Sequence, residues 1–286
     1  MTNTFAGTVQ KVRVLELEGS RWSLDLDGTE LYMNASEAPE TLQTGDTPDV
    51  FLFMNRRGEL AASMQLPHMT MGTYGWARVL RVDDKFGAYV DIGAAFEVLV
   101  NKADLPHVRK LWPKIDDALY MTLRTDPAGT IFGRLATEER VLDVMGIAEQ
   151  WRMNDNLTAR PYRLLPVGAF LLSIPDNFRI FIHASEMASE PRLGEELSVR
   201  IIDVQEDGTL NGSLLPRKQE RLDDDAEMIY AYLQETNGKM PFTDKSTPEE
   251  IEEMFNLSKG AFKRALGRLM KNGKIEQRDG WTSLKD

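Results

Sequence analysis

The stretch "RIFIHASEM" (residues 179–187) decides how this chain reads. Its alternation is that of a short strand entering a turn. Arg179, Phe181 and His183 share one face, and Ile180 and Ile182 the other. A cation, an aromatic ring and an imidazole side by side make a surface suited to a ligand. Two related stretches lie upstream, "ELYMNASEA" (30–38) and "EVLVNKADL" (97–105). Each places a large residue two positions before a polar one: Tyr32 before Asn34, Leu99 before Asn101, Phe181 before His183. Each then runs through Ala to an acidic residue, Glu37, Asp104 or Glu186. The alternate positions are apolar throughout.

The flanks repeat as well. Upstream lie "WSLDLDG" (22–28), "AYVDIGA" (88–94) and "AFLLSIP" (169–175). Downstream lie "GELAAS" (58–63), "GTIFGR" (129–134) and "GTLNGS" (208–213). The period is roughly seventy residues, with extra chain before the third copy. Short strands separated by Gly and Asp turns, about five to a copy, predict three small closed barrels of the oligonucleotide/oligosaccharide-binding (OB) type. In that architecture the face of strands 2 and 3 meets the ligand.

The middle copy, "GWARVLRVDDKFGAYVDIG" (75–93), closely resembles the start of an S1 RNA-binding domain. Phe86 and Tyr89 match that family's aromatic positions, and His183-Ala184-Ser185-Glu186 matches its second motif in the third copy. Asn101 and Ala103 depart from the second motif in the middle copy. In the first copy Ser23 aligns with Tyr89, while Trp22 shares a core face with Leu24 and Leu26.

After "LLPRKQERLDDDAE" (214–227) the period changes from 2 to 3.6. "AEMIYAYLQET" (226–236) predicts an amphipathic helix with Ile229, Leu233 and Tyr230 inward. Thr247-Pro248 with Glu250 predicts a capping box opening a second helix. Ser258 caps a third, with Phe262, Leu266 and Leu269 as its apolar stripe, and Asp279-Gly280 turns a hairpin. This is a winged helix-turn-helix, whose third helix enters a groove. Lys259, Lys263, Arg264, Arg268, Lys271, Lys274 and Arg278 make that region basic, against a chain carrying −11 overall. Between copies two and three, 137–151 predicts a helix packing between barrels, with Val141, Leu142, Val144 and Met145 as its stripe.

The expected organisation is mainly β with α: three tandem S1-like OB-type barrels at 1–67, 68–136 and 154–217, a helical connector at 137–153, and a C-terminal winged helix at 222–286. This order resembles the CvfB/YitL family of bacteria. That resemblance implies an RNA-binding protein that influences gene expression, including virulence-related expression in some bacteria.

Composition sets further bounds. The chain has no Cys and only three His, at 68, 107 and 183, so disulfides, thiol catalysis and a structural zinc site are not expected. His68 and His107 read as loop residues. No GxSxG elbow, phosphate loop or GxGxxG fingerprint occurs, and "DDD" (223–225) reads as a solvated linker. No enzyme activity, metal or cofactor is expected. Neither a secretory signal nor a membrane-length apolar run is visible, which points to the cytoplasm.

The candidate RNA face comprises Phe86, Tyr89, Asn101, Arg179, Phe181, His183, Phe170, Tyr32 and Asn34. Arg179 is the expected phosphate partner and the rings are the expected base platforms. The competing reading for these residues is inter-domain packing. For the basic third helix it is a solvated face. Single-stranded RNA is the favoured partner. The alternatives are a DNA-binding regulator acting through the winged helix, and a scaffold docking on ribosome or RNA polymerase subunits.

Overall fold

The computed structural model describes residues 5–149 and 153–285. The end of the expected connector, 150–152, lies outside that range. The chain divides into two compact units, Met1–Leu214 and Leu215–Asp286.

The first unit holds the three predicted repeats. Barrel 1 comprises β1 (Val9–Lys11), β2 (Arg13–Glu18), β3 (Arg21–Leu26), β4 (Thr29–Asn34), β5 (Asp49–Met54) and β6 (Leu60–Ser63). Its sheet order is β1-β5-β6-β4-β3-β2. Only the buried Val12 separates β1 from β2, so one bent strand serves both edges. Barrel 2 comprises β7 (Gly75–Asp83), β8 (Gly87–Asp91), β9 (Val98–Asn101), β10 (Ala118–Thr125) and β11 (Ile131–Leu135), and it closes fully. Barrel 3 repeats that order with β12 (Asn156–Leu165), β13 (Gly168–Ser173), β14 (Arg179–His183), β15 (Leu197–Val204) and β16 (Leu210–Ser213). In all three the third strand pairs parallel with the last: β4 with β6, β9 with β11, β14 with β16. The first long strand of each has a register shift against the second, which lets it bend round the barrel.

Alternation fills the interiors as the sequence predicts. Leu31 and Met33, Val98 and Val100, and Ile180 and Ile182 are each essentially inaccessible. Trp22 is partly buried against the barrel 1 core of Leu24 and Leu26. The barrels share walls. Phe51 of barrel 1 and Leu193 of barrel 3 both belong to the core of barrel 2. Phe53 lies 4.8 Å from Phe96. Ala118 N donates to Gly194 O at 3.0 Å, and Arg192 holds the buried Asp117 with two bonds of 3.2 Å.

The connector forms α1 (Glu138–Val144), shorter than expected. Its apolar stripe needs correcting: only Val141 is buried, while Leu142 and Val144 are exposed. Fewer than two full turns cannot define a broad face, and this helix inserts one side chain. Val141 packs between Tyr120 and Ala136 of barrel 2 and Tyr162 and Leu172 of barrel 3. The helix therefore does pack between barrels.

The second unit contains α2 (Lys218–Glu235), α3 (Pro248–Phe255), α4 (Lys259–Lys271) and a three-stranded sheet, β17 (Lys239–Met240), β18 (Ile275–Arg278) and β19 (Trp281–Leu284). The reading of "DDD" as linker is corrected, because α2 already spans it. The α3 capping box is present, with Thr247 Oγ1 accepting from Glu250 N and Glu250 accepting from Thr247 N. Ser258 caps α4. Both turn residues Asp279 and Gly280 have positive φ, the geometry of a tight two-residue hairpin. Ile229, Leu233, Phe262, Leu266 and Leu269 form the core. Among the described residues no helix is long and apolar enough to cross a membrane.

Candidate nucleic-acid interface

Strand register puts the predicted residues in matching places. Arg21 faces Asn34 and Ser23 faces Tyr32 in barrel 1. Gly87 faces Asn101 and Tyr89 faces Leu99 in barrel 2. Gly168 faces His183 and Phe170 faces Phe181 in barrel 3. The same outward pair thus carries an aromatic ring on strand 3, on strand 2, or on both.

One ring in each barrel carries an arginine, and each of these arginines is held by a glutamate. The guanidinium carbon of Arg21 lies 3.7 Å from the Tyr32 centroid, with Glu18 2.9 Å from its Nη2. Arg81 lies 3.3 Å from the centroid of Tyr89, its register partner, and its Nε donates to both Glu97 oxygens at 3.1 Å. Arg179 lies 4.4 Å from the Phe170 centroid, with its Nε donating to Glu138 Oε1 at 2.7 Å. A cation above a ring face is attracted by its quadrupole, and a guanidinium plane can itself stack on a base. Sequence reasoning missed Arg21 and Arg81. Pairing β7 with β8 on paper would have joined Arg81 to Tyr89.

Arg179 departs from its expected role. Its side chain is largely buried, and Glu138 of α1 occupies its hydrogen-bonding fork. Tyr162 donates to the same carboxylate at 2.8 Å, and Arg163 lies 3.6 Å from it. Arg179 therefore anchors the connector to barrel 3 rather than standing open to phosphate. Phe170 is half-buried, 4.8 Å from Phe181, which meets His183 edge-on at 6.4 Å. Phe86 is 46% exposed in the turn between β7 and β8.

The polar residue ending strand 3 has a local duty too. Asn34 Oδ1 accepts from Ser36 N at 3.0 Å, and His183 Nδ1 accepts from Ser185 N at 3.2 Å. Asn101 makes no such cap. With Nδ1 accepting, the neutral ring of the exposed His183 carries its proton on Nε2, which is then a donor.

Burial, followed by the hydrogen bond to Glu138 and its charge, pushes the Tyr162 phenol well above the usual tyrosine range. Burial, with Tyr74 nearby, raises Tyr120 as well. Both contributions are fully present below the unfolded tyrosine pKa of about 10 and are lost as pH climbs toward the folded value. Denaturant midpoints should therefore fall as pH rises above about 10, and more shallowly in Tyr162→Phe. An identical alkaline slope in that variant would contradict the assignment.

On the winged helix, Lys263, Arg264 and Lys271 of α4 are exposed, as are Lys274 and Arg278; Lys259 and Arg268 are partly covered. Lys274 Nζ lies 4.8 Å from the Tyr230 ring. Beside Arg278, the exposed Trp281 opens β19 and was not singled out from sequence. His68 and His107 sit in loops, as expected. A further omission is the pair Arg56 and Arg57, which line a groove of about 520 Å³ with Arg21, Tyr32 and Asn34.

Comparison with known proteins agrees with this architecture. Four family models match in order: an S1 domain over 6–65, the CvfB first S1-like domain over 74–134, the second domain of virulence regulatory factor CvfB over 143–216, and a CvfB-like winged helix domain over 227–284. Conserved virulence factor B of Staphylococcus haemolyticus is 44% identical, covering 98% of this chain and 97% of its own. YitL of Bacillus subtilis is 42% identical over 89% of this chain and 85% of its own. A crystal structure of a multidomain protein with nucleic acid binding domains from Streptococcus pneumoniae is 36% identical, covers 99% of both chains and superposes with a TM-score of 0.68. With its domain models matched in order and its relatives aligned nearly end to end, the chain belongs to the conserved virulence factor B (CvfB) family.

Proposed function

We propose that this protein is a non-catalytic, cytoplasmic RNA-binding regulator of gene expression that holds single-stranded RNA on its barrel faces. The observation that carries this reading is the recurrence of an arginine-capped aromatic ring on the strand 2–3 face of every barrel. Unstacked bases meet such rings with little sequence demand, at about 1–3 kcal/mol per stack. Phe86, Tyr89, Tyr32, Phe170 and Phe181 supply the platforms, Asn34 and Asn101 polar edges, and His183 Nε2 a donor for phosphate or base. Pairing Phe86→Ala with Tyr89→Ala should weaken binding of a labelled oligoribonucleotide by about 30-fold, the loss of two stacks at the low end of that range. Unchanged affinity removes barrel 2 from the mechanism. Wild-type protein that binds no RNA at low salt overturns the reading.

The exposed cations of α4 favour a second, duplex-binding role. Reversing Lys263 and Arg264 to Glu distinguishes the two. Loss of duplex DNA binding with intact RNA binding assigns the winged helix to DNA. Partners that survive nuclease treatment in a pull-down would instead favour docking on ribosome or polymerase subunits.

A further inference from the structure

We propose that barrel 1 carries a phosphate-binding site, formed by Arg56 and Arg57 beside the stacked Arg21–Tyr32 pair, that takes the phosphodiester backbone of single-stranded RNA. The proposal rests on the RNA-binding reading and adds which barrel grips the backbone.

Arg56 and Arg57 sit at the tip of the turn joining β5 to β6. That turn is built rather than loose. Asn55 Oδ1 accepts from Arg57 N at 2.8 Å and from Glu59 N at 3.0 Å, and Gly58 takes a positive φ of 76°. Asp126 organises the corresponding turn of barrel 2 in the same way, accepting from Ala128 N and Thr130 N. The scaffold is therefore common, but its decoration differs. Barrel 2 reads "DPAGT" (126–130) and barrel 3 "QEDGT" (205–209), neither with a cation, where barrel 1 reads "NRRGE" (55–59).

Arg21 tells the same story from another element. It occupies the register slot held by Gly87 and Gly168 in the other barrels. Two separate places in the sequence thus bring cations to one groove, in barrel 1 alone. Arg56 and Arg57 are exposed and make no ion pair among the described residues. The carboxylates lining the groove are engaged. Glu37 accepts from the Ser63 hydroxyl at 2.5 Å, and Glu59 Oε2 accepts from Asn55 Nδ2 at 3.0 Å.

The chemistry selects the ligand. Guanidinium forks match phosphate oxygens, and the stacked Arg21–Tyr32 pair offers a flat surface beside them. A nucleotide supplies both parts, a phosphate for the guanidinium forks and a flat base for the stacked pair.

The test uses the full chain and a labelled single-stranded oligoribonucleotide, titrated by anisotropy between 50 and 200 mM salt. Each phosphate contact on a single strand contributes about 0.7 to the slope of log K against log salt. Arg56→Ala with Arg57→Ala should lower that slope by about 1.4 and weaken binding roughly 60-fold at 50 mM salt, shrinking to roughly tenfold at 200 mM. Arg56→Lys with Arg57→Lys should keep most of the slope. Phe86→Ala with Tyr89→Ala should lose affinity while keeping it, because stacking releases no counterions. The turn is exposed, so an unchanged melting temperature certifies the fold of each variant. Wild-type binding with the full slope retained in the double-alanine variant overturns this site alone. A wild type that binds no RNA overturns the broader reading. Competition by poly-glutamate at matched charge, as strong as by RNA, would assign the groove to an acidic peptide and overturn the proposal.

Discussion

Alanine at Gly87 or Gly168 should destabilise the three-barrel unit by about 4 kcal/mol. A β-carbon on Gly87 would lie 2.1 Å from Val100 O and 2.7 Å from Lys102 N. On Gly168 it would lie 2.2 Å from Ile182 O. These obstacles are backbone atoms of the paired strand, so no rotamer relieves them, and φ at Gly87 is +130°. The strands must part at the edge of the candidate RNA face. Calorimetry should register a fall of roughly 8–16 °C in melting temperature. A wild-type value would mean that β8–β9 and β13–β14 do not pair in this register. Barrel 1 escapes the constraint because its positive φ sits two residues earlier, at Gly19. That displacement leaves position 21 with an ordinary backbone and room for an arginine.

Glu138→Ala should cost about 2–4 kcal/mol, well beyond an ordinary surface substitution. Its carboxylate accepts from Tyr162 and Arg179 and lies near Arg163. Deleting it strands a largely buried guanidinium and a buried phenol. Breaking a buried ion pair costs about 3–5 kcal/mol, and the partial exposure of Glu138 scales that down. Urea unfolding read by tryptophan fluorescence tests the size. Glu138→Gln should recover part of the loss, since an amide oxygen still accepts a hydrogen bond. A Glu138→Ala midpoint equal to wild type would mean that the Glu138 carboxylate contributes nothing to docking barrel 3 and that α1 holds through Val141 alone.

The repeats and strand faces were legible because alternation has a period of two, and a misphased strand would turn Arg179 or His183 into the barrel interior in place of Ile180 and Ile182. The caps at Thr247 and Ser258 were legible because capping is local. What escaped the sequence depends on distant pairing. Glu97 reaches Arg81 and Glu138 reaches Arg179 only once strands and connector are placed. The start of α2 escaped because "RKQERLDDD" (217–225) has Leu222 as its sole apolar residue and shows no stripe. The two-residue β17 is too short to alternate. Arg56 and Arg57 were in plain view, yet a charged turn gives no sign of facing a groove until Tyr32 and Arg21 are set beside it.

Because Phe51 and Leu193 complete the interior of the middle barrel, that barrel is no detachable cassette. Excising it would open its core on both sides, and exchanging it would demand matching walls from its neighbours. The three copies therefore differ by position rather than as interchangeable blocks, as in the slot that reads Arg21, Gly87 and Gly168.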